Sequence, residues 1–336
     1  MASVRIGKQA LRAAIVCLLL LGLFAVLLLG VSHFQHRQTT QAAEEIVPDE
    51  AGQKLYYGGK TYRLKHNLET ILLIGLDKDS SYDAFQEYLN KEQNDFLLLV
   101  VIDKQENTCA ALPINRDTMT TVWQLDVNGE PSTNRVEQLC LAHTYGSGGE
   151  DSCENTVRAV ENLLFGQTID HYAALSMDAV PILADLVGGV PVEIDTDMTA
   201  VDPRLIAGET VTLEGELALS YVRARRAVSD GTNQSRMARQ ERFLRAAWEA
   251  WQEQTASGDA VELGTDALIS LGERLRSDCT VQKLSRLLER AEQCEMTILP
   301  APAGEMTVSE ENIAEFYVDD DALEQTVLEL FYREEV

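Results

Sequence analysis

Three short apolar runs open the folded part of the chain. Thr70-Ile-Leu-Leu-Ile-Gly-Leu76 and Phe96-Leu-Leu-Leu-Val-Val-Ile102 are continuous in apolar residues rather than alternating, the pattern of strands buried on both faces. Thr108-Cys-Ala-Ala-Leu-Pro-Ile114 is a weaker third. The five polar residues Asp103 to Asn107 join the last two runs so tightly that antiparallel neighbours are predicted. If the first two runs also pair antiparallel, Asp77, Asp95, Arg116 and Asp117 come to one end of the sheet, where open α/β sheets tend to bind ligands.

Downstream, Arg135 to Tyr145 and Ser152 to Phe165 read as helices separated by Gly146-Ser-Gly-Gly149. His171 to Ser176 reads as a strand. Met177 to Val187 reads as a helix stopped by Gly188-Gly189, and Val190 to Ile194 as another strand. Leu213 to Ser220 is a short helix or turn, and Tyr221 to Arg225 a strand with Tyr221, Arg223 and Arg225 on one face. A long helix follows from about Gln234 to Gln252. It carries Arg236, Arg239 and Gln240 on one face, and Met237, Leu244, Trp248 and Trp251 on an adjacent apolar stripe. The tail adds helices at 280–292 and 320–332 around a strand at Met296 to Leu299; Asp319-Asp-Asp321 reads as a solvated helix start. Alternating strands and helices imply an α/β sandwich.

The N-terminus changes the setting. Ala13 to Val31 is apolar, uncharged and long enough to span a bilayer, with Arg5, Lys8 and Arg12 before it. Charge bias then leaves the N-terminus cytosolic and the rest of the chain outside. The run is long for a cleaved signal peptide and no clear cleavage site follows it, which favours a retained anchor. Residues 32–67 read as a stalk. Cys109, Cys140, Cys153, Cys279 and Cys294 would face an oxidising side, and an odd count leaves at least one thiol unpaired there. Cys140 with Cys153 and Cys279 with Cys294 are the nearest pairs in sequence. No spacing suits structural zinc.

Charge then singles out one segment. The chain carries a formal net charge of −26, yet residues 220–245 hold seven arginines against Asp230 and Glu241. Arginine grips phosphate oxygens with parallel hydrogen bonds, so a dense patch on an acidic protein points to a local anion site and not to a nucleic-acid surface. The bland alternative, arginines paired with nearby acids, is equally open from arrangement alone. Gly146 to Gly149 lacks the Lys-Ser/Thr of a phosphate loop, and His143 has no accompanying nucleophile motif, so both read as structural.

The ordered set Ile71-Leu-Leu-Ile-Gly-Leu-Asp77, Asp95-Phe-Leu-Leu-Leu-Val100, Asn115-Arg-Asp-Thr118, Ala142-His-Thr-Tyr-Gly146, Ile169-Asp-His-Tyr172, Leu186-Val-Gly-Gly-Val190, Leu213 to Arg225, Asp230-Gly231 and Arg236-Met-Ala-Arg-Gln240 resembles the LytR–CpsA–Psr family of membrane-anchored cell-wall phosphotransferases. The likeness runs from about residue 68 to 250. It implies an α/β/α sandwich with a central mixed sheet, preceded by one N-terminal transmembrane helix. It also implies a catalytic domain over 68–255, a C-terminal helical extension over 256–336, and an apolar tunnel for a lipid tail.

The function implied is transfer of a glycopolymer from a polyprenyl-pyrophosphate carrier to peptidoglycan, forming a phosphodiester with Mg²⁺. Asp77 and Asp95 match the metal positions. Arg116, Arg223, Arg225, Arg236, Arg239 and Gln240 match the pyrophosphate-binding positions, and Arg116, Asp117 and Asp230 are the catalytic candidates. Either Asp117 or Asp230 could take the acceptor proton, and Asp117 could equally only orient Arg116. Three departures stand out: Asn94 precedes Asp95 where the family often has arginine, the proline of Leu112-Pro-Ile-Asn-Arg-Asp117 is displaced from its more usual place beside the arginine, and three extra residues lie between Asp230 and Arg236 relative to a common Asp-x-Gly-Arg form. Two other functions fit the same residues. One is a non-catalytic polyprenyl-phosphate-binding envelope module, nearer the older label of transcriptional attenuator; the other is a polyprenyl-pyrophosphate hydrolase.

Overall fold

A computed structural model describes residues 47–48, 54–77, 90, 92–225, 228, 231–256 and 260–335. The apolar run 13–31 and Asp230 lie outside the described residues. No helix among the described residues is long and apolar enough to cross a membrane. Strands β1 (Val47–Pro48), β2 (Lys54–Tyr57) and β3 (Lys60–Leu64) belong with the last strand of the chain to a small four-stranded sheet. Its unit comprises residues 1–63 and 334–336; the main unit runs from Leu64 to Arg333.

In the main unit come β4 (Leu68–Leu76), β5 (Asn94–Asp103), β6 (Thr108–Pro113), β7 (Met119–Leu125) and β8 (Pro131–Gln138), then a 3₁₀ helix over Leu139–Tyr145. Next are α1 (Glu150–Leu163), β9 (His171–Ser176), α2 (Val180–Leu186), β10 (Val190–Glu193), β11 (Thr210–Leu213), α3 (Gly215–Arg223) and α4 (Asn233–Thr255). The tail supplies α5 (Ala260–Leu271), β12 (Leu275–Ser277), α6 (Val281–Gln293), β13 (Glu295–Ile298), β14 (Gly304–Val308), β15 (Ala314–Val318), α7 (Asp320–Phe331) and β16 (Tyr332–Glu335).

The central mixed sheet has the order β12-β9-β4-β5-β6-β13. β4 and β5 pair antiparallel, as do β5 and β6, which is the arrangement expected from the apolar runs and the short polar turn. β9 lies parallel to β4, and the tail contributes both edge strands: β12 beside β9 and β13 beside β6. Alternate residues sort onto two buried faces. Ile71, Leu98, Val100 and Ile102 pack with Leu284, Leu287 and Ala291 of α6 and with Leu244 and Trp248 of α4. Leu72, Ile74, Leu97, Leu99 and Val101 are buried on the other side. There the 3₁₀ helix and α1 lie against β5 and β9.

Two readings of the sequence are corrected. Arg135 to Tyr145 is not one helix: it is the end of β8 and then the 3₁₀ helix. The hairpin turns at Asp126, whose Oδ1 accepts from the amides of Asn128 (2.8 Å) and Glu130 (3.0 Å), with Gly129 at φ 82°. Tyr221 to Arg225 is not a strand. Leu217 with Tyr221 and Ala218 with Val222 fall one helical turn apart, and all four are buried in a cluster with Val190, Leu213, Phe243 and Trp251. Arg223 therefore ends a helix, and Arg225 stands beyond it. Packing in this cluster ties α3 to α4 and brings the two arginine groups side by side.

Candidate active site

The sheet end predicted to gather charge does so. Asp77 follows β4 and its amide donates to Gln93 O (3.1 Å). Asp95 sits in a β-bulge: Gly75 pairs with Phe96 and Leu76 with Asn94, leaving Asp95 without an opposite number. Gly75 is required there, because a Cβ would lie 2.8 Å from that of Phe96. After β6, the Asn115 side chain accepts from the Asp117 amide (3.0 Å), and Thr118 Oγ1 donates to Asn115 O (2.6 Å). This tight turn projects Arg116. Its far side is backed by the tail, where the Phe316 amide donates to Asp117 O (2.9 Å).

The guanidinium groups converge on these carboxylates. Arg116 pairs with Asp95 Oδ1 and with Asp117 Oδ1 (3.2 Å), and donates to Gln93 Oε1 (3.3 Å). Arg236 takes the other oxygen, Asp95 Oδ2 (2.9 Å), and also reaches Asp95 O and Asn233 Oδ1 (2.8 Å). Arg223 pairs with Asp77 Oδ1 (2.9 Å). Arg225 donates to Gly231 O (3.2 Å). Burial and the nearby Arg116 and Arg225 push the Arg236 guanidinium down to about 10, still cationic at neutral pH.

Arg239 and Gln240 face the same assembly from the α4 side but hold the backbone. Arg239 donates to Ala224 O, and Gln240 donates to Val222 O (3.5 Å). These two carbonyls flank Arg223, so both side chains fix where α3 delivers its arginines. Arg236, Arg239 and Gln240 are 4%, 3% and 5% exposed. Arg236 Nε, Arg239 Nε, Gln240 Oε1 and Asp117 Oδ2 are buried without a hydrogen-bond partner. Orphaned buried donors are costly and concentrate where function demands them.

Sequence reasoning missed an amide link. Asn233 Nδ2 donates to Asn115 Oδ1 (2.9 Å), joining the first turn of α4 to the turn carrying Arg116. Its only sequence signal is its place one turn before Arg236. Thr232 caps α4 by accepting from the Ser235 amide (3.2 Å). Asn94 does not stand in for a missing guanidinium: it is fully buried and donates to Leu139 O (3.1 Å), away from the cluster.

His143 is a packed residue, as expected. Its Nδ1 lies 3.1 Å from Glu92 O, and burial pushes its pKa down. In the loop 146–149 the Ser147 amide donates to Asp151 Oδ2 (2.8 Å), the Gly148 amide donates to Ser152 Oγ (2.8 Å), and Gly148 O accepts from Arg276. Asp319 caps α7 by accepting from the Ala322 amide (2.9 Å), the helix start anticipated for the acidic run. The five described cysteines are all free, so neither near pair forms a disulfide. Beside Asp95 and Arg116, a narrow crevice of about 10 Å³, little more than room for a water and partly open to solvent, runs between β5–β6 and α4, with Phe96, Leu97, Pro113, Ile114, Met237 and Leu244 as its apolar walls.

Known proteins share this architecture. A curated teichoic acid transferase, polyisoprenyl-teichoic acid–peptidoglycan teichoic acid transferase TagU of Halalkalibacterium halodurans, is 26% identical over 269 residues, covering 80% of this chain and 80% of its own. The crystal structure of B. subtilis TagV superposes with a TM-score of 0.56 at 22% identity, covering 79% of this chain and 98% of that one. A structure described as TagT bound to LIIa-WTA gives 0.56 at 20% identity, covering 79% and 90%. A profile of the LytR_cpsA_psr family matches residues 32–330, nearly the whole chain, and the chain is a member of that family.

Proposed function

We propose that this protein transfers a glycopolymer from a polyprenyl-diphosphate carrier to a hydroxyl of peptidoglycan. One observation carries the reading. Three guanidinium groups (Arg116, Arg223 and Arg236) pair with three carboxylates (Asp77, Asp95 and Asp117) at one sheet end, Arg225 and Arg239 stand beside them on backbone carbonyls, and Arg236 Nε and Arg239 Nε are buried without a partner. Guanidinium groups gathered in this way match the negative charge of a diphosphate in sign and in hydrogen-bonding geometry. The relative named as a teichoic acid–peptidoglycan transferase supports the same substrates here. The apolar crevice beside Arg116 supports a lipid-linked donor. It is far too small for a whole polyprenyl chain, so α4 would have to draw away from β5–β6 to admit one.

In the reaction, an acceptor hydroxyl oxygen attacks the sugar-bearing phosphorus. The new O–P bond forms as the bond from that phosphorus to the bridging oxygen breaks, and polyprenyl phosphate leaves. Arg116, Arg223, Arg225 and Arg236 stabilise charge gathering on the bridging and equatorial oxygens. Asp117, fixed by Arg116 and Gln138, orients Arg116; Asp117 and Asp230 are the candidates for accepting the hydroxyl proton.

Asp77 and Asp95 fit Mg²⁺ in donor type, being hard oxygen ligands, and each keeps lone pairs beyond those its arginines occupy. A bound Mg²⁺ would supply further neutralisation of diphosphate charge. The run Ala13 to Val31 would anchor the protein in the plasma membrane, N-terminus in the cytosol and catalytic domain outside.

The test is incubation of the protein with Mg²⁺ and a short-chain lipid-diphosphate sugar, with and without peptidoglycan oligomers. Acceptor-dependent product is expected. Release of the sugar phosphate without acceptor would instead mean hydrolysis, and tight binding with no turnover a carrier-binding module; either overturns the transferase reading.

A further inference from the structure

At the opposite end of the central sheet lies a second cluster. Ile71 pairs with His171 and Leu76 with Ser176, so β9 begins where β4 begins, remote from Asp77. β12 runs antiparallel to β9 with Ser277 opposite Ala173; continuing that register sets Cys279 across from His171. Asp278 turns back between them. Its Oδ2 lies 3.0 Å from His171 Nδ1, and its Oδ1 accepts from the Tyr172 amide (3.0 Å).

We propose that His171, Asp278 and Cys279 form a site for a divalent transition metal of the zinc type. Their ligand atoms all lie within 4.8 Å of one another, and no other such group of three occurs among the described residues. In tetrahedral zinc coordination, bonds of about 2.0–2.3 Å put ligand atoms roughly 3.2–3.8 Å apart. Closing the cluster therefore needs about 1 Å of side-chain movement at its edge.

The chemistry selects the metal. One imidazole nitrogen, one carboxylate oxygen and one thiolate sulfur form a borderline-soft set, which favours zinc or cobalt over magnesium or calcium. The surroundings hold the donors in place. The Tyr172 amide fixes the carboxylate, while Ser277 Oγ donates to Tyr172 O and accepts from the Cys279 amide (3.0 Å), which locks the turn. His171 and Asp278 side chains are 24% and 35% exposed, so the fourth position faces solvent and takes water or an exchangeable ligand. Metal binding would displace the thiol proton of Cys279 into solvent and replace the His171–Asp278 hydrogen bond, the imidazole proton moving to Nε2, while the Tyr172 amide keeps its bond to Asp278 Oδ1.

Cobalt(II) is the probe. The whole chain, stripped with chelator, is titrated with Co²⁺ while thiolate-to-cobalt charge-transfer absorption and bound metal per chain are followed; Zn²⁺ is then added. One equivalent with a thiolate band, displaced by Zn²⁺, is expected. Cys279→Ser should abolish the band. His171→Asn should weaken affinity by at least the roughly 10–100-fold that losing an outer partner produces. Thermal melts check that both variants fold; Cys294→Ala serves as a thiol control and should keep the band. No band in the parent, or a band that survives Cys279→Ser, would overturn the site and leave an ordinary His–Asp ion pair.

Discussion

Removing one charge at the bulge tests the whole electrostatic argument. Asp95→Asn keeps the side-chain shape but takes away the carboxylate that, among the described residues, bonds both Arg116 and Arg236. All three are largely buried, and breaking a buried ion pair by neutralising one partner typically destabilises by about 3–5 kcal/mol. For a unit as long as Leu64–Arg333 each kcal/mol shifts Tm by about 2 °C, so a fall of roughly 6–10 °C is expected. A diphosphate should then act as the missing counterion. In chelator, methylene diphosphonate at a hundred times its Kd would restore about 2.7 kcal/mol. Its stabilisation of the variant should exceed that of the parent, where the ligand competes with Asp95 for the same arginines. Adding Mg²⁺ should give the parent a further increment that the variant lacks. Calorimetry with and without ligand reads all four terms. Equal ligand shifts in parent and variant would refute the shared-arginine site, and loss of less than about 1 kcal/mol in the variant would refute the burial argument.

Arg116→Ala, Arg223→Ala and Asp95→Ala should each slow transfer by about 10²-fold or more, read as acceptor-dependent product; unchanged turnover in all three would contradict the assignment. Asn233→Ala should slow transfer less than Arg236→Ala while still destabilising by about 1–3 kcal/mol, since two buried hydrogen bonds go at once, to Asn115 Oδ1 and from Arg236 Nη2; denaturant melts alongside rates check this. His143 is held neutral in the fold, so below its ordinary value of 6.5 the unfolded chain binds a proton that the native one refuses. Stability should then fall with pH by up to about 1.4 kcal/mol per unit, a slope that His143→Gln removes in urea melts. Burial pushes Cys109 and Cys153 up to about 12 and Cys140 to about 11, so these thiols should resist disulfide reagents at neutral pH until denaturant is added.

The parts of the fold legible in the sequence were those with strong burial. β4, β5 and β6 announced themselves because both faces are covered, and their pairing alone foretold that Asp77, Asp95, Arg116 and Asp117 would meet. β8 was missed because six of its eight residues are exposed and carry no alternation, although Asp-Val-Asn-Gly marked its turn. Tyr-Val-Arg-Ala-Arg mimics a strand at period two. Only its packing against Val190 and Phe243 makes it a helix end, and no local rule contains that partner. The Asn115–Asn233 link spans 118 residues and depends on side-chain geometry, so nothing along the chain could declare it. The shared metal-type cluster at the far sheet end was equally hidden, since three-residue β12 carries no pattern of its own.

The extra residue in β5 has an evolutionary corollary. Deleting Asp95 would not simply erase an acid. It would close the bulge, so that consecutive residues faced Leu76 and Gly75, and it would remove the kink that sets this carboxylate between Arg116 and Arg236, while Phe96 to Asp103 kept their partners on β4 and β6. Substitution can therefore change the charge at this place while the kink stays, whereas deletion takes both away and leaves the two interior layers standing.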